Sequence, residues 1–333
     1  MMVNPVLVEV TRANVIESRH RGAISVFDGD GTEVMTVGDV ARPVFPRSAV
    51  KSIQALPLIE SGAADAYEFS RADIALACAS HSGEAAHADR AASMLAKAGL
   101  SAHDLECGTH WPTRQEATIE LARSGGQPRA LHNNCSGKHS GFVCTCRHMG
   151  IDLRGYVKAG HKSQEMVREA MEAVTGAAHG EDSCGTDGCS IPTYAVPLSN
   201  LAKGFARMAT GQGLGQRRAK AASRIFEACM AEPFYVAGTE RFDTKLMTLG
   251  AGRIFVKVGA EGVYCGALPE LGLGFALKCD DGAVRAAETM VAALIARLSK
   301  DALGEEVGAL SHQVMKNWNG IEVGIVRPAG ELA

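Results

Sequence analysis

The stretch Phe45-Pro46-Arg47-Ser48-Ala49-Val50-Lys51 sets a serine three residues ahead of a lysine, at the entry to the apolar-periodic segment Ile53-Gln54-Ala55-Leu56-Pro57-Leu58-Ile59. On a helix this spacing puts hydroxyl and amine on one face, one turn apart. A serine hydroxyl is a weak nucleophile and needs a base to take its proton. Lys51 can act so only when neutral for part of the time, which burial or a second cation favours. Lys257, in Lys257-Val258-Gly259-Ala260 at the end of a late strand pattern, offers that cation. Ser80, in Ala79-Ser80-His81-Ser82-Gly83-Glu84, adds a hydroxyl where a small apolar helix opens into a polar loop. The plain alternatives are a chance Ser-x-x-Lys, a helix-capping Ser80 and a solvated Lys257.

Sulfur forms a second group. His132-Asn133-Asn134-Cys135-Ser136-Gly137-Lys138-His139 is polar between apolar helices, and Asp187-Gly188-Cys189 lies in a Gly-rich loop. Cys135 just precedes a helix, whose N-terminus favours a thiolate. Two thiolates from distant loops plus a nitrogen make a zinc site with one open position. Ligand chemistry alone nominates Cys135, Cys189 and His139, since a lysine ligand must first lose a proton. The competing reading is two buried free thiols. Ser136-Gly137-Lys138 is no phosphate loop: the first glycine of that pattern would fall on His132, and His139 follows the lysine. Cys78, Cys144 and Cys146 read as core, and His81 and His87 as solvated or capping. Asp243 reads equally as a helix cap or as a group reaching a site.

These residues need elements to hold them. Strands are predicted at 6–10, 23–27 and 33–37, with Asp28-Gly29-Asp30-Gly31 as a turn. The helix carrying Ser48 should end near Ser61-Gly62, with a possible kink at Pro57. Helical periodicity follows at 72–79, 85–98, 114–123, 138–149, 161–175, 198–209 and 217–230. Three short strands at 253–258, 262–267 and 274–279 precede a closing helix at 284–298. Strands at both ends around a helical middle predict an α+β fold, with one antiparallel sheet built from N- and C-terminal segments and a helical region inserted between. The expected layout is one catalytic unit over 1–333, the sheet part at about 1–65 and 250–333 and the helical part at about 66–249.

With 333 residues, 46% hydrophobic and 21% charged, the chain reads as an ordinary globular protein with ample core. A net charge of −3 gives no footprint for nucleic acid. No apolar run approaches the ~20 residues of a membrane helix. Met1-Met2-Val3-Asn4-Pro5 lacks a signal-peptide pattern. Ten cysteines in such a chain then read as reduced thiols in the cytoplasm, some free to hold a metal.

The arrangement of a nucleophile helix, a late Lys-x-Gly strand and a loop serine is similar to serine hydrolases of the β-lactamase, penicillin-binding and glutaminase type. The loop departs from their Ser-x-Asn pattern, which implies a different substrate. Taken together, Phe45 to Gln54, Cys78 to Glu84, His132 to His139, Asp187-Gly188-Cys189 and Lys257 to Gly262 resemble the L-asparaginase II family, the rhizobial-type or class 3 asparaginases. The resemblance runs nearly the whole chain in order. It implies a β-lactamase/glutaminase-like fold and hydrolysis of L-asparagine to L-aspartate and ammonia.

On that resemblance two Ser-Lys pairs meet, Ser48 with Lys51 and Ser80 with Lys257, and Ser48 is the nucleophile. Zn2+ is held by Cys135, Lys138 and Cys189, which replaces His139 as the nitrogen ligand. Asp187 stands behind the metal, and Arg47 and His139 serve substrate or support the site. A homodimer and no organic cofactor are also implied. Two other classes compete. One is another amidohydrolase on the same scaffold, a glutaminase or a β-lactamase-like enzyme. The other is a non-enzymatic zinc-binding protein in which Ser48 and Lys51 are structural.

Overall fold

The computed structural model describes residues 3–333; Met1 and Met2 of the N-terminal stretch lie outside the described residues. Eight strands form one antiparallel sheet: β1 (Val6–Arg12), β2 (Val15–Asp28), β3 (Glu33–Val37), β4 (Phe255–Gly259), β5 (Val263–Leu268), β6 (Leu273–Cys279), β7 (Gln313–Lys316) and β8 (Glu322–Pro328). Their order is β7-β8-β1-β2-β6-β5-β4, with β3 beside the second half of β2. The expected α+β architecture, a sheet shared by N- and C-terminal segments with helices between, is what the topology shows.

β2 is the spine of this sheet. Its first half pairs with β1 and its second half with β6 and β3. Residues 22–27 are buried on both faces, so they read as a continuous apolar run, whereas 15–21 alternate with polar side chains. Sequence periodicity therefore finds 23–27 and misses the earlier half of the same strand. It also misses β7 and β8, whose residues are mostly half-buried or exposed, and the helix Ala302–Leu310 before them.

Register and close approaches fix the two faces. Gly274 of β6 lies against the backbone at Phe205 and Ala206, so one face packs on the helix Leu198–Thr210. Phe255 of β4 is on that face too, its ring 4.1 Å from Phe226 and 6.1 Å from Phe205. Gly22 pairs with Cys279 on the other face, where a Cβ would meet Met290 Cε at 2.8 Å. That face is covered by the helix Val284–Leu298.

The segment carrying Ser48 is broken more than the sequence reading allows. Arg47–Val50 is a 3-10 turn, Lys51–Gln54 and Leu56–Glu60 are short α-helices, and the break falls at Ala55. Pro57 sits in the first turn of the second piece, where its missing N–H costs nothing; deeper in a helix its ring would clash with the carbonyl four residues back. Gly62, at φ 86°, ends the run.

Candidate active site

Lys51 is fully buried, and its ammonium meets three groups from distant parts of the chain. Nζ donates to Ala79 O at 2.5 Å and to Ser80 Oγ at 2.9 Å, and lies 3.1 Å from Cys135 Sγ. One side chain thus joins the Ser-Lys group to the sulfur group. Ser80 is placed by the backbone: the helix Arg71–Ala77 ends just before it, and its N–H donates to Val236 O at 3.0 Å. The hydroxyl partner of Lys51 is Ser80 rather than Ser48, among the described residues. Ser48 stays half-buried in the 3-10 turn, while the lysine stem runs inward beneath it.

β4 brings in Lys257. Gly259, two residues on, has no room for a side chain, because a Cβ would run into Pro46 O and stand 3.2 Å from Ala49 N. The strand therefore lies directly on the Ser48 turn. Lys257 is buried, with Nζ 2.9 Å from Val258 O and 3.7 Å from the Asp243 carboxylate. Burial pushes its pKa down to about 8; Asp243 opposes the shift and the Lys51 charge assists it. Asp243 accepts the Val258 N–H at 3.0 Å and is buried, so it reaches the site instead of capping a helix. The sequence left it undecided because no local pattern separates the two roles. Ser80 and Lys257 make no hydrogen bond with each other among the described residues.

Cys135 is the residue just before the helix Ser136–Met149, and Lys138 lies in its first turn. Gly137 packs against Leu76 O with no space for a Cβ, which lets this helix cross close to the one before Ser80. Lys138 Nζ donates to Cys189 Sγ at 3.0 Å, and Cys189 hydrogen-bonds Cys135. All three residues are at most 4% exposed. The hydrogen bond from Cys189 holds Cys135 well below the ordinary thiol range against its burial, with Lys51 and Lys138 helping. Cys189, which gives that bond, is pushed up. Burial pulls the Lys138 ammonium down, but Cys189 and Cys135 outweigh it and raise its pKa. Two sulfurs and an amine fit a soft divalent ion once the ammonium gives up its proton, and among the described residues the amine has no other hydrogen-bond partner.

The loop that presents Cys189 is tied to the Ser48 turn. Arg47 Nε donates to Asp187 Oδ1 at 2.7 Å, and the same oxygen accepts the Gly188 N–H at 2.7 Å. Burial would raise the Asp187 carboxyl; the Lys138 charge and the Arg47 bond keep it below the usual range. Arg47 and Ser190 both take left-handed backbone conformations, at φ 52° and 76°. For bulky or polar residues such conformations are costly and gather at functional sites. Arg47 also lines a cavity of about 350 Å3 with Arg42, Phe45, Glu261 and Lys278.

The L-asparaginase II family profile matches residues 8–328. The chain belongs to the L-asparaginase II family. That family is one of asparaginase-type amidohydrolases. Among solved structures, one described as Mglu is similar at 14% identity and a TM-score of 0.42, over 80% of this chain and 64% of that one. Another Mglu structure, in its native form, has 14% identity and the same TM-score over 87% and 63%. A β-lactamase from Mycobacterium bovis is similar at 16% identity and a TM-score of 0.42, over 87% of this chain and 94% of that one. The chain spans less than two thirds of the Mglu chains' length. No curated protein matches it.

In this asparaginase II family member, His139 is buried on the same helix as Lys138. Tyr156 OH accepts the Glu106 N–H at 2.8 Å and shares a hydrogen bond of 2.7 Å with His139 Nδ1. Burial pulls the imidazole pKa well below its ordinary value, and Nε2 is buried without a partner among the described residues. Tyr156 is a residue the sequence reading missed; its only signal was an isolated aromatic in a Gly-rich turn. His81 and His87 are neither solvated nor caps. Both are buried and stacked at 4.8 Å, and His81 bonds Ser136 Oγ at 2.9 Å and the Gly83 N–H at 3.1 Å. His87 reaches Phe234 O at 3.0 Å. Cys78, Cys144 and Cys146 are buried, as expected of core residues, and all ten cysteines are free. No helix is long and apolar enough to cross a membrane among the described residues.

Proposed function

We propose that this chain hydrolyses the side-chain amide of L-asparagine to L-aspartate and ammonia, with Ser48 as nucleophile and Lys51 as its base. What carries the reading is the meeting of Lys51 with Ser80 and Cys135 in a chain whose family match runs almost end to end. Ser48 Oγ attacks the amide carbon and its proton passes to Lys51. Lys51 returns that proton to the departing nitrogen, which leaves as ammonia. The β-aspartyl ester then takes a water, the bond to Ser48 Oγ breaks to free L-aspartate, and the water's proton passes through Ser80 and Lys257 to Ser48 Oγ. Backbone N–H groups at the start of the Ser48 turn hold the oxyanion.

Zn2+ held by Cys135, Lys138 and Cys189 would supply a Lewis-acid anchor for substrate. The residues themselves do the rest. Asp187 fixes Arg47 and the Cys189 loop, and the unpaired Nε2 of His139 is a ring nitrogen available to hydrogen-bond substrate. The mixed-charge cavity beside Arg47 suits the ammonium and carboxylate of a free amino acid. The same reading takes residues 1–333 as one catalytic unit, working in the cytoplasm as a homodimer.

A second reading rests on the 2.9 Å bond from Lys51 to Ser80 Oγ: Ser80 is the serine acylated, and Ser48 relays the proton. Ammonia release from L-asparagine and L-glutamine by wild type, Ser48→Ala and Ser80→Ala, with mass analysis of acylated peptides, separates the readings. An acyl group on the peptide carrying Ser48 supports the first. Turnover of neither amide ends both.

A further inference from the structure

Beyond that site, on the opposite face of the sheet, His20, Cys279 and Asp281 offer a nitrogen, a sulfur and a carboxylate oxygen within 4.8 Å of one another. Strand register separates the two places. Lys257 pairs with Cys265, which pairs with Ala276. Ala276 and Cys279 are three residues apart on β6, so they point to opposite faces. Gly22 pairs with Cys279, and His20, two residues before Gly22, shares its face. This is the face under Val284–Leu298, not the one that holds Lys257.

The three groups already converge through hydrogen bonds. Cys279 Sγ donates to Asp281 Oδ1 at 2.9 Å, and His20 Nδ1 meets Asp281 Oδ2 at 2.6 Å. Asp281 is steadied by the Ala283 N–H on Oδ1 at 3.0 Å. His20 and Cys279 are buried, while the Asp281 side chain is 49% exposed and leaves a way in from solvent. His20 Nε2 is buried with no partner among the described residues.

We propose that His20, Cys279 and Asp281 form a second metal site, for a zinc-type divalent ion. Thiolate, imidazole and carboxylate are the donor set such an ion prefers, and three protein ligands leave a fourth position for water. Metal–ligand bonds of about 2.0–2.3 Å place tetrahedral donor atoms roughly 3.3–3.8 Å apart. The cluster reaches that spacing by moving apart from its present hydrogen-bond contacts. Binding releases the Cys279 thiol proton and moves the imidazole proton from Nδ1 to Nε2, so one proton leaves per ion. The two anionic ligands neutralise the dication. The ion would tie β2 to the end of β6 and the turn after it, with His20 and Asp281 261 residues apart in sequence.

The test uses the full chain carrying Cys135→Ser and Cys189→Ser, stripped with a chelator and titrated with Co2+. The expected result is one bound equivalent with a thiolate-to-cobalt charge-transfer band. Adding Cys279→Ser should abolish the band and lose that equivalent, and adding His20→Gln should weaken binding at least tenfold. No thiolate-bound cobalt in the double variant, or binding unchanged by Cys279→Ser, overturns the proposal. If the double variant does not fold by circular dichroism, Cys279→Ser alone is compared with wild type. A loss of one equivalent then supports the site, and an unchanged count refutes it.

Discussion

Lys51 reaches past Ser48, three residues before it, to bond Ser80, twenty-nine residues after it, at 2.9 Å. The Lys51 ammonium is therefore held by a loop closed from elsewhere in the fold, and its partner could not be read from the local Ser-x-x-Lys spacing.

Lys51→Met should lower kcat for ammonia release by about 10^2–10^4, the range a positioned general base contributes. Lys51→Arg should be equally inactive, because a guanidinium does not give up its proton. Steady-state assays on folded protein check this, and an active Lys51→Arg would remove Lys51 as the base.

Lys257, held at about 8, should appear as an ascending limb near that pH in the rate profile of the hydrolytic step. The Asp243 carboxylate favours the ammonium, so Asp243→Asn should lower the Lys257 pKa and move the limb to more acid pH. The stability sign is the reverse of the usual salt bridge. The folded pKa lies below the unfolded value of about 10.4, so the unfolded chain binds more protons between the two and stability rises with pH through that window. pH-rate profiles and denaturant melts of both proteins at pH 7 and 9.5 measure these effects.

Arg47→Ala removes the 2.7 Å bond that ties the Ser48 turn to the loop bearing Cys189. Zinc affinity should fall about 10–100-fold, the usual cost of losing an outer-shell partner. Isothermal titration of metal-stripped protein tests it; unchanged affinity would show that Asp187 holds the loop without Arg47.

Gly259→Ala pushes a methyl into Pro46 O at the Ser48 turn. Overpacking of this kind costs about 1–3 kcal/mol. Activity should fall with stability, whereas Gly160→Ala, whose Cβ would meet nothing within 4 Å, should leave kcat and stability unchanged. Urea melts and assays of the two variants make the comparison.

The sequence made the sheet's two-ended construction legible because 23–27 and the three late strands carry apolar runs with turn residues between them. It did not show β7, β8 or the first half of β2, where polar side chains face solvent and the alternation is weak. At the candidate site, Ser48, Lys51, Ser80, Lys257, Cys135 and Cys189 stood out by type, and Lys138 through the family resemblance, which put it in place of His139. Who touches whom was not legible. The bond from Lys51 to Ser80 depends on Val236 O anchoring the Ser80 backbone, and Tyr156 orients His139 from a separate turn. The break at Ala55 follows from Pro57, but only the structure says on which side of the proline it falls.

Pairing of β2 with β6 has a consequence during synthesis. Residues 22–27 leave the ribosome early, yet their neighbour on one side ends at Cys279. At about 5–20 residues per second, some 250 residues take roughly 13–50 s to make. For that interval the apolar spine has an open edge, and a nascent chain already carries Ser48 and Ser80 without Lys257. The nascent sheet stays exposed to sticking along that edge until β6 emerges and pairs with β2.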